Sequence, residues 1–216
     1  MINVIFDVDG TLVDSYGLDT ELYCRAVNEV LGQAIIRKDW AEYTHVTDAG
    51  ILAEILQDND IPPETRLKKA VRERFGQLVS TALTDRPCAS LPGAPSAIKH
   101  LRQHPNVTMG VATGGWSHTA RAKLGAAGFD PSSWVFASSD DHAERTAIMR
   151  TCLARLPNPG APTIYIGDGE WDQTACKALD WAFVGVGARL KDKTPVWIEH
   201  YASCDLRQVL EAALAN

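Results

Sequence analysis

Apolar and polar positions follow two different rhythms along this chain, one before residue 90 and one after it. The chain opens with Val4-Ile5-Phe6, a short apolar run with β preference that suits a strand buried on both faces. From about residue 15 to residue 87 the pattern turns helical. Leu22, Ala26, Val27, Val30 and Leu31 recur at helical spacing over Asp19–Leu31, with Gly32 as a stop. Thr47 or Asp48 can cap a helix carrying Ile51, Leu52, Ile55 and Leu56. After Pro62-Pro63, Leu67, Val71, Phe75, Leu78, Val79 and Leu83 share one face of a further helix.

Beyond residue 90 strand and helix alternate regularly. A helix with Ala97, Ile98 and Leu101 inward precedes a strand over 107–112, then a helix over 117–125 and a strand over 134–137. Asp141-His142-Ala143-Glu144 reads as a capping box opening a helix whose inward face is Ile148, Cys152, Leu153 and Leu156. A strand over 163–166, a helix, a strand over 182–186 and a closing helix over 206–214 complete the pattern. Such alternation predicts an α/β fold: a Rossmann-like parallel sheet with right-handed crossovers and an inserted α-helical domain. The expected division is a core of residues 1–14 and 88–216 and a helical cap of residues 15–87.

Composition narrows the class only a little. The 216 residues, 45% hydrophobic and 22% charged, are ordinary for a globular domain with an insert. A formal net charge of −6 and the lack of a Lys/Arg block argue against nucleic acid as a partner. No apolar run reaches membrane-spanning length, and the first residues do not read as a signal peptide, so no membrane partner and a cytoplasmic location are expected. Five scattered cysteines with no Cys-x-x-Cys spacing fit reduced thiols rather than a zinc site or disulfide framework.

The candidate chemistry lies where apolar strands stop. Asp7 and Asp9 follow Phe6 and fall on the same side of an extended backbone. Two such acids repel unless a cation lies near, and a hard ion such as Mg²⁺ takes oxygen ligands. Thr113-Gly114-Gly115 follows a second strand and supplies a hydroxyl and approachable N–H groups before a helix N-terminus, a setting that favours anions. Asp168 and Asp172 follow a third strand. Parallel sheets gather such strand ends at one edge.

Asp7-Val8-Asp9-Gly10-Thr11-Leu12-Val13-Asp14-Ser15 resembles the first motif of the haloacid dehalogenase superfamily, mostly Mg²⁺-dependent phosphohydrolases. Thr113 resembles its phosphate-binding second motif, and Gly-Asp-x-x-x-Asp at 167–172 its metal-binding fourth. The branch resembled is that of phosphatases with a small helical cap, of the phosphoglycolate phosphatase type. The resemblance implies Asp7 as nucleophile, Asp9 as acid and base, and Asp7, Asp9, Asp168 and Asp172 as metal ligands, with Asp172 acting directly, through water or by orienting a neighbour. The family's third-motif lysine is absent, since no lysine stands between Ala137 and Ile164. Arg145 is the favoured replacement for charge at the nucleophile and phosphate, and Lys123 is the alternative. Thr113, Gly114 and Arg145 are expected on the phosphate, and the cap loop Tyr43–Asp48, with His45 and Thr47, on the substrate. Trp116-Ser117-His118 is a further candidate lining.

The implied activity is phosphomonoester hydrolysis of a small phosphorylated metabolite through an aspartyl-phosphate, by a monomer or homodimer. A sugar-phosphate mutase or a weakly catalytic regulatory protein are the alternatives. Dehalogenation is disfavoured by Asp9.

Overall fold

A computed structural model describes residues 1–215. In chain order its strands are β1 (Ile2–Phe6), β2 (Val13–Asp14), β3 (Ala89–Ser90), β4 (Val107–Ala112), β5 (Val135–Ala137), β6 (Thr163–Gly167), β7 (Ala182–Val186) and β8 (Trp197–Ile198). The α-helices are α1 (Tyr16–Leu31), α2 (Asp48–Asp58), α3 (Thr65–Asp85), α4 (Ala94–Arg102), α5 (Ser117–Ala126), α6 (Arg145–Arg155), α7 (Glu170–Leu179) and α8 (Leu206–Ala215).

Six strands form one sheet in the order β5-β4-β1-β6-β7-β8, every pair parallel. β1 lies between β4 and β6, so the chain builds the sheet to one side of it and then crosses back to the other. That reversal is a topological switch point, where α/β sheets open a crevice at the strands' carboxyl ends. Val4, Ile5 and Phe6 are fully buried, which is why β1 reads as unbroken apolar sequence. Side chains of alternate parity go to opposite faces: Val4 and Phe6 join the cluster under α4, α5 and α8, and Ile5 the one under α6 and α7.

The insert's helices bury a separate apolar cluster of Leu22, Tyr23, Val27, Tyr43, Leu52, Ile55, Val71, Phe75 and Val79, joined from the loop after β4 by Trp116. Its two crossings are held together, because β2 and β3 pair antiparallel with Asp14 opposite Ala89 and Val13 opposite Ser90.

Three local features depart from the sequence reading. α6 begins at Arg145, with Glu144 at the cap, rather than at Asp141. Asp141 instead turns back to accept the Ser138 N–H and pairs with Arg155, which holds 138–144 as a loop. Leu153 lies at the edge of its cluster, only partly buried. Strands β2, β3 and β8, two residues each, are too short to show a period. All five cysteines are free. Among the described residues no helix is long and apolar enough to cross a membrane.

Candidate active site

The ends of β1, β4 and β6 meet in one cleft. Its walls include Asp7, Asp9, Thr113, Gly114, Arg145 and Asp168 from the sheet side and Asp19, Tyr23, Trp40, Thr47, Asp48 and Phe75 from the insert, around a space of about 110 Å³.

Asp7 is buried, and its Oδ1 accepts the Val8 N–H at 2.8 Å. Carboxylate oxygens of Asp7, Asp168 and Asp172 lie within 4.8 Å of one another. Burial, reinforced by Asp172, pushes the Asp7 carboxyl up to about 7. Burial likewise lifts Asp168 to about 8, again with Asp172 adding to it. Three anions converge here from two strand ends, and a hard divalent cation taking oxygen ligands fits such a set.

The turn after β1 makes that convergence possible. Gly10 has φ of +74°, and a Cβ on it would collide with the Asp168 carboxylate. Gly10→Ala is therefore expected to lower stability by about 1–2 kcal/mol and to weaken divalent-ion binding, read by thermal melts with and without Mg²⁺.

Arg145 is the cation that stands beside Asp7. It is buried at the start of α6, with Nη1 2.8 Å from Asp172 Oδ1 and 3.6 Å from Asp7 Oδ2. Its Nη2 donates to the Val46 carbonyl of the insert at 2.7 Å. A planar fork can make both contacts at once, where an ammonium is a single point charge. Asp172 in turn is wholly buried, and its Oδ2 accepts the Gly169 N–H at 3.0 Å. Both its oxygens are thus engaged, and it orients Arg145.

Asp9 stands apart from the trio. The Asp9 Oδ1 accepts from Ser15 Oγ and lies 2.6 Å from Lys123 Nζ. Lys123, on α5 and 1% exposed, also meets Asp19 Oδ2 at 2.5 Å. The two candidate cations therefore divide the work: Arg145 faces Asp7, and Lys123 faces Asp9.

The second turn is equally constrained. Thr113 is buried, and its Oγ accepts the Gly115 N–H at 3.2 Å. A Cβ on Gly114 would collide with the Arg145 guanidinium and sit 2.9 Å from the Val46 carbonyl. A Cβ on Gly115 would stand 3.6 Å from Asp9 Oδ2, 3.7 Å from Thr113 Oγ and 3.8 Å from Asp48 Oδ2. Those three oxygens therefore surround one small space.

The insert loop is stitched to the core. Thr47 Oγ donates to the Ala143 carbonyl at 2.6 Å and accepts the Gly50 N–H as the cap of α2. Asp48 N–H donates to the Gly114 carbonyl, and Ala49 N–H to Ser139 Oγ. Thr47 lines the cleft with its hydroxyl already committed, which leaves it a structural tie more than a substrate contact. His45 is not among the cleft-lining residues. Trp116 packs in the insert's aromatic cluster, stacked on Tyr23, and His118 lies against Gly76 of α3. Neither lines the cleft.

Sequence reading missed Asp19, Tyr23, Trp40 and Phe75 as site residues. Asp19, Tyr23 and Phe75 sit on helices whose spacing signals only packing, Trp40 lies in a short aromatic turn, and Asp48 reads as a helix cap at the end of the Tyr43–Asp48 loop. Asp48 accepts the Trp116 N–H at 2.8 Å and pairs with no described cation. Burial, with Asp19 adding to it, pushes its carboxyl up to about 8. The folded state thus keeps a proton that the unfolded chain releases near pH 4, so this group's support is lost as pH rises toward 8. Asp48→Asn is expected to raise the melting temperature, with little gain at pH 4.5 and the largest gain above pH 8.

Comparison with known proteins bears on the family and the fold. A family model for haloacid dehalogenase-like hydrolases matches residues 3–180. No curated protein matches the chain. Among solved structures, a hydrolase from Pseudomonas syringae is 22% identical, with 98% of each chain covered and a TM-score of 0.75. β-Phosphoglucomutase from Clostridium difficile is 17% identical, covering 100% of this chain and 98% of that one, with a TM-score of 0.75. A predicted phosphoglycolate phosphatase from Haemophilus somnus is 15% identical, with 96% of each chain covered and a TM-score of 0.64. At these identities the structures speak for the fold alone, but the family model spans most of the sequence: the chain belongs to the haloacid dehalogenase-like hydrolases.

Proposed function

We propose that this protein is a Mg²⁺-dependent phosphomonoester hydrolase acting on a small phosphorylated metabolite. The observation that carries the reading is the meeting of Asp7, Asp9, Thr113, Arg145 and Asp168 in one cleft, with a three-carboxylate cluster at its floor. Asp7 and Asp168 would hold the ion, with Asp172 acting through water or by orienting Arg145. When bound, the ion supplies positive charge that offsets the acids and the phosphate oxygens.

Asp7 attacks phosphorus in line: its oxygen–phosphorus bond forms as the ester oxygen–phosphorus bond breaks. Asp9 gives the departing alcohol its proton through Oδ2, since Oδ1 is held by Ser15 and Lys123. Asp9 then takes a proton from water as that water attacks the aspartyl-phosphate, freeing inorganic phosphate and restoring Asp7. Thr113 Oγ and the N–H groups of the Gly114-Gly115 turn bind the transferring oxygens, and Arg145 offsets their charge beside Asp7. Residues 15–87 serve as a cap over a core of residues 1–14 and 88–216, hinged at the β2–β3 pair and latched by the 46–49 loop. Opening of that latch admits substrate and water.

The test is phosphate release from p-nitrophenyl phosphate. Turnover should appear with Mg²⁺, fall by at least about 100-fold in EDTA and return when Mg²⁺ is restored. Turnover indifferent to chelation would refute the reading. Product analysis with a hexose phosphate separates hydrolysis, which yields free phosphate, from the mutase-type transfer that the β-phosphoglucomutase neighbour's name suggests.

A further inference from the structure

The half of the cleft away from the carboxylate trio has a chemistry that hydrolysis itself does not call for. Five carboxylates line the cleft, those of Asp7, Asp9, Asp19, Asp48 and Asp168, against one guanidinium, that of Arg145. Lys123, buried behind the wall, is shared between Asp9 and Asp19, and Arg189 stands 3.8 Å from Asp168, which leaves Asp48 as the lining acid with no paired cation among the described residues. A divalent ion and a phosphate monoester of about −2 charge cancel one another, so neither supplies a partner for Asp48, whose carboxylate, among the described residues, meets only the Trp116 N–H. Two of the acids, Asp19 and Asp48, come from the insert and take no part in phosphoryl transfer. Asp19 Oδ1 is shut from solvent with no hydrogen-bond partner. Around these acids stand the rings of Tyr23, Trp40 and Phe75, which pack edge-on with Tyr23 at the centre.

We propose that the substrate is a phosphate monoester of an amino alcohol, its ammonium group held between Asp48, Asp19 and the aromatic wall. This rests on the hydrolase reading and adds the identity of the leaving group. The position follows from the turn at Gly115, where Asp9 Oδ2, Thr113 Oγ and Asp48 Oδ2 lie within 4 Å of one point. A leaving oxygen protonated by Asp9 carries its substituent toward Asp48. Carboxylates beside aromatic rings are the setting that recognises ammonium ions. The same wall repels a carboxylate-bearing leaving group, because like charges brought together in a desolvated cleft are strongly disfavoured. A purely apolar leaving group would leave Asp48 without a cationic partner and Asp19 with only the Lys123 that it shares with Asp9.

Steady-state phosphate release with saturating Mg²⁺ tests this on ethanolamine phosphate, n-propyl phosphate, glycerol 3-phosphate and phosphoglycolate. The expected kcat/KM for ethanolamine phosphate exceeds each of the others by about 100-fold or more. In Asp48→Asn, which is expected to fold at least as stably as the parent, the ratio of ethanolamine phosphate to n-propyl phosphate should drop at least about tenfold. A preference for phosphoglycolate or glycerol 3-phosphate, or a ratio unmoved by Asp48→Asn, overturns the assignment. Turnover of p-nitrophenyl phosphate without amine preference removes the substrate class and leaves the hydrolase. If no ester is turned over, the hydrolase reading fails, and calorimetry on the Mg²⁺-loaded protein decides the rest. Tighter binding of ethanolamine phosphate than phosphoglycolate by about tenfold or more supports the ammonium site, and equal or reversed affinity overturns it.

Discussion

Replacing Asp7 with asparagine is expected to reduce turnover of any active phosphate ester by at least about 10⁴-fold while leaving the fold intact. An amide oxygen can still accept the Val8 N–H that Asp7 Oδ1 accepts, so the turn after β1 loses no hydrogen bond. It cannot form a stable phosphoryl ester, and it removes one anion from a buried cluster of three. The variant should therefore melt no lower than the parent in the absence of divalent ions, because like charges no longer meet at that point. It should also gain less stability from added Mg²⁺, since one of the ion's ligands has lost its charge. Retained turnover would remove Asp7 from the nucleophile's role. A large drop in melting temperature would show that the carboxylate is needed for folding, and the kinetic result would then say little.

The second large effect belongs to Arg145. Its buried guanidinium touches Asp172, Asp7 and the Val46 carbonyl together, so it joins the charge at the site to the insert's loop. Arg145→Ala strands two acids, Asp7 and Asp172, without their cation, and the expected cost is about 3–5 kcal/mol. Added Mg²⁺ should recover much of that loss, because the ion replaces the missing positive charge. Arg145→Lys is the more informative change. It keeps the charge that the family's usual lysine would supply but replaces the two separate Nη groups that reach Asp172 and the Val46 carbonyl with one ammonium, which loses the fixed fork geometry. The expected result is a stability loss of about 1–2 kcal/mol and a KM that rises more than kcat falls, because the loop closing over the substrate is released. Equal kinetics in the lysine variant would mean that the contact with Val46 is incidental. Thermal melts with and without Mg²⁺, together with steady-state kinetics on p-nitrophenyl phosphate, separate these outcomes.

The α/β architecture and the strand-end chemistry were readable from the linear chain. Val4-Ile5-Phe6, the 107–112 run and the 163–166 run are apolar because both faces of a parallel sheet are covered, and each breaks at a polar turn where ligands gather. The helical insert was legible for a similar reason, since its apolar cluster repeats at helical spacing. The start of α6 was misjudged because Asp141 has a choice between capping a helix and bonding back to Ser138, and only the surrounding loop selects.

The resemblance favours Arg145 as the cation at Asp7, where the structure has it, but the partners of Lys123 were not legible. Lys123 falls in the last turn of α5, and nothing in one dimension says that it meets Asp9 and Asp19. The same holds for the acidic and aromatic wall. Asp19, Tyr23, Asp48 and Phe75 carry the signature of ordinary amphipathic helices. Local order along the chain dictates which face of a helix is apolar, because that depends on near neighbours and a fixed period. What a partly buried acid confronts depends on elements up to a hundred residues away, as the contacts of Asp19 with Lys123 and of Thr47 with Ala143 make plain. Such pairings arise only when the insert closes on the sheet.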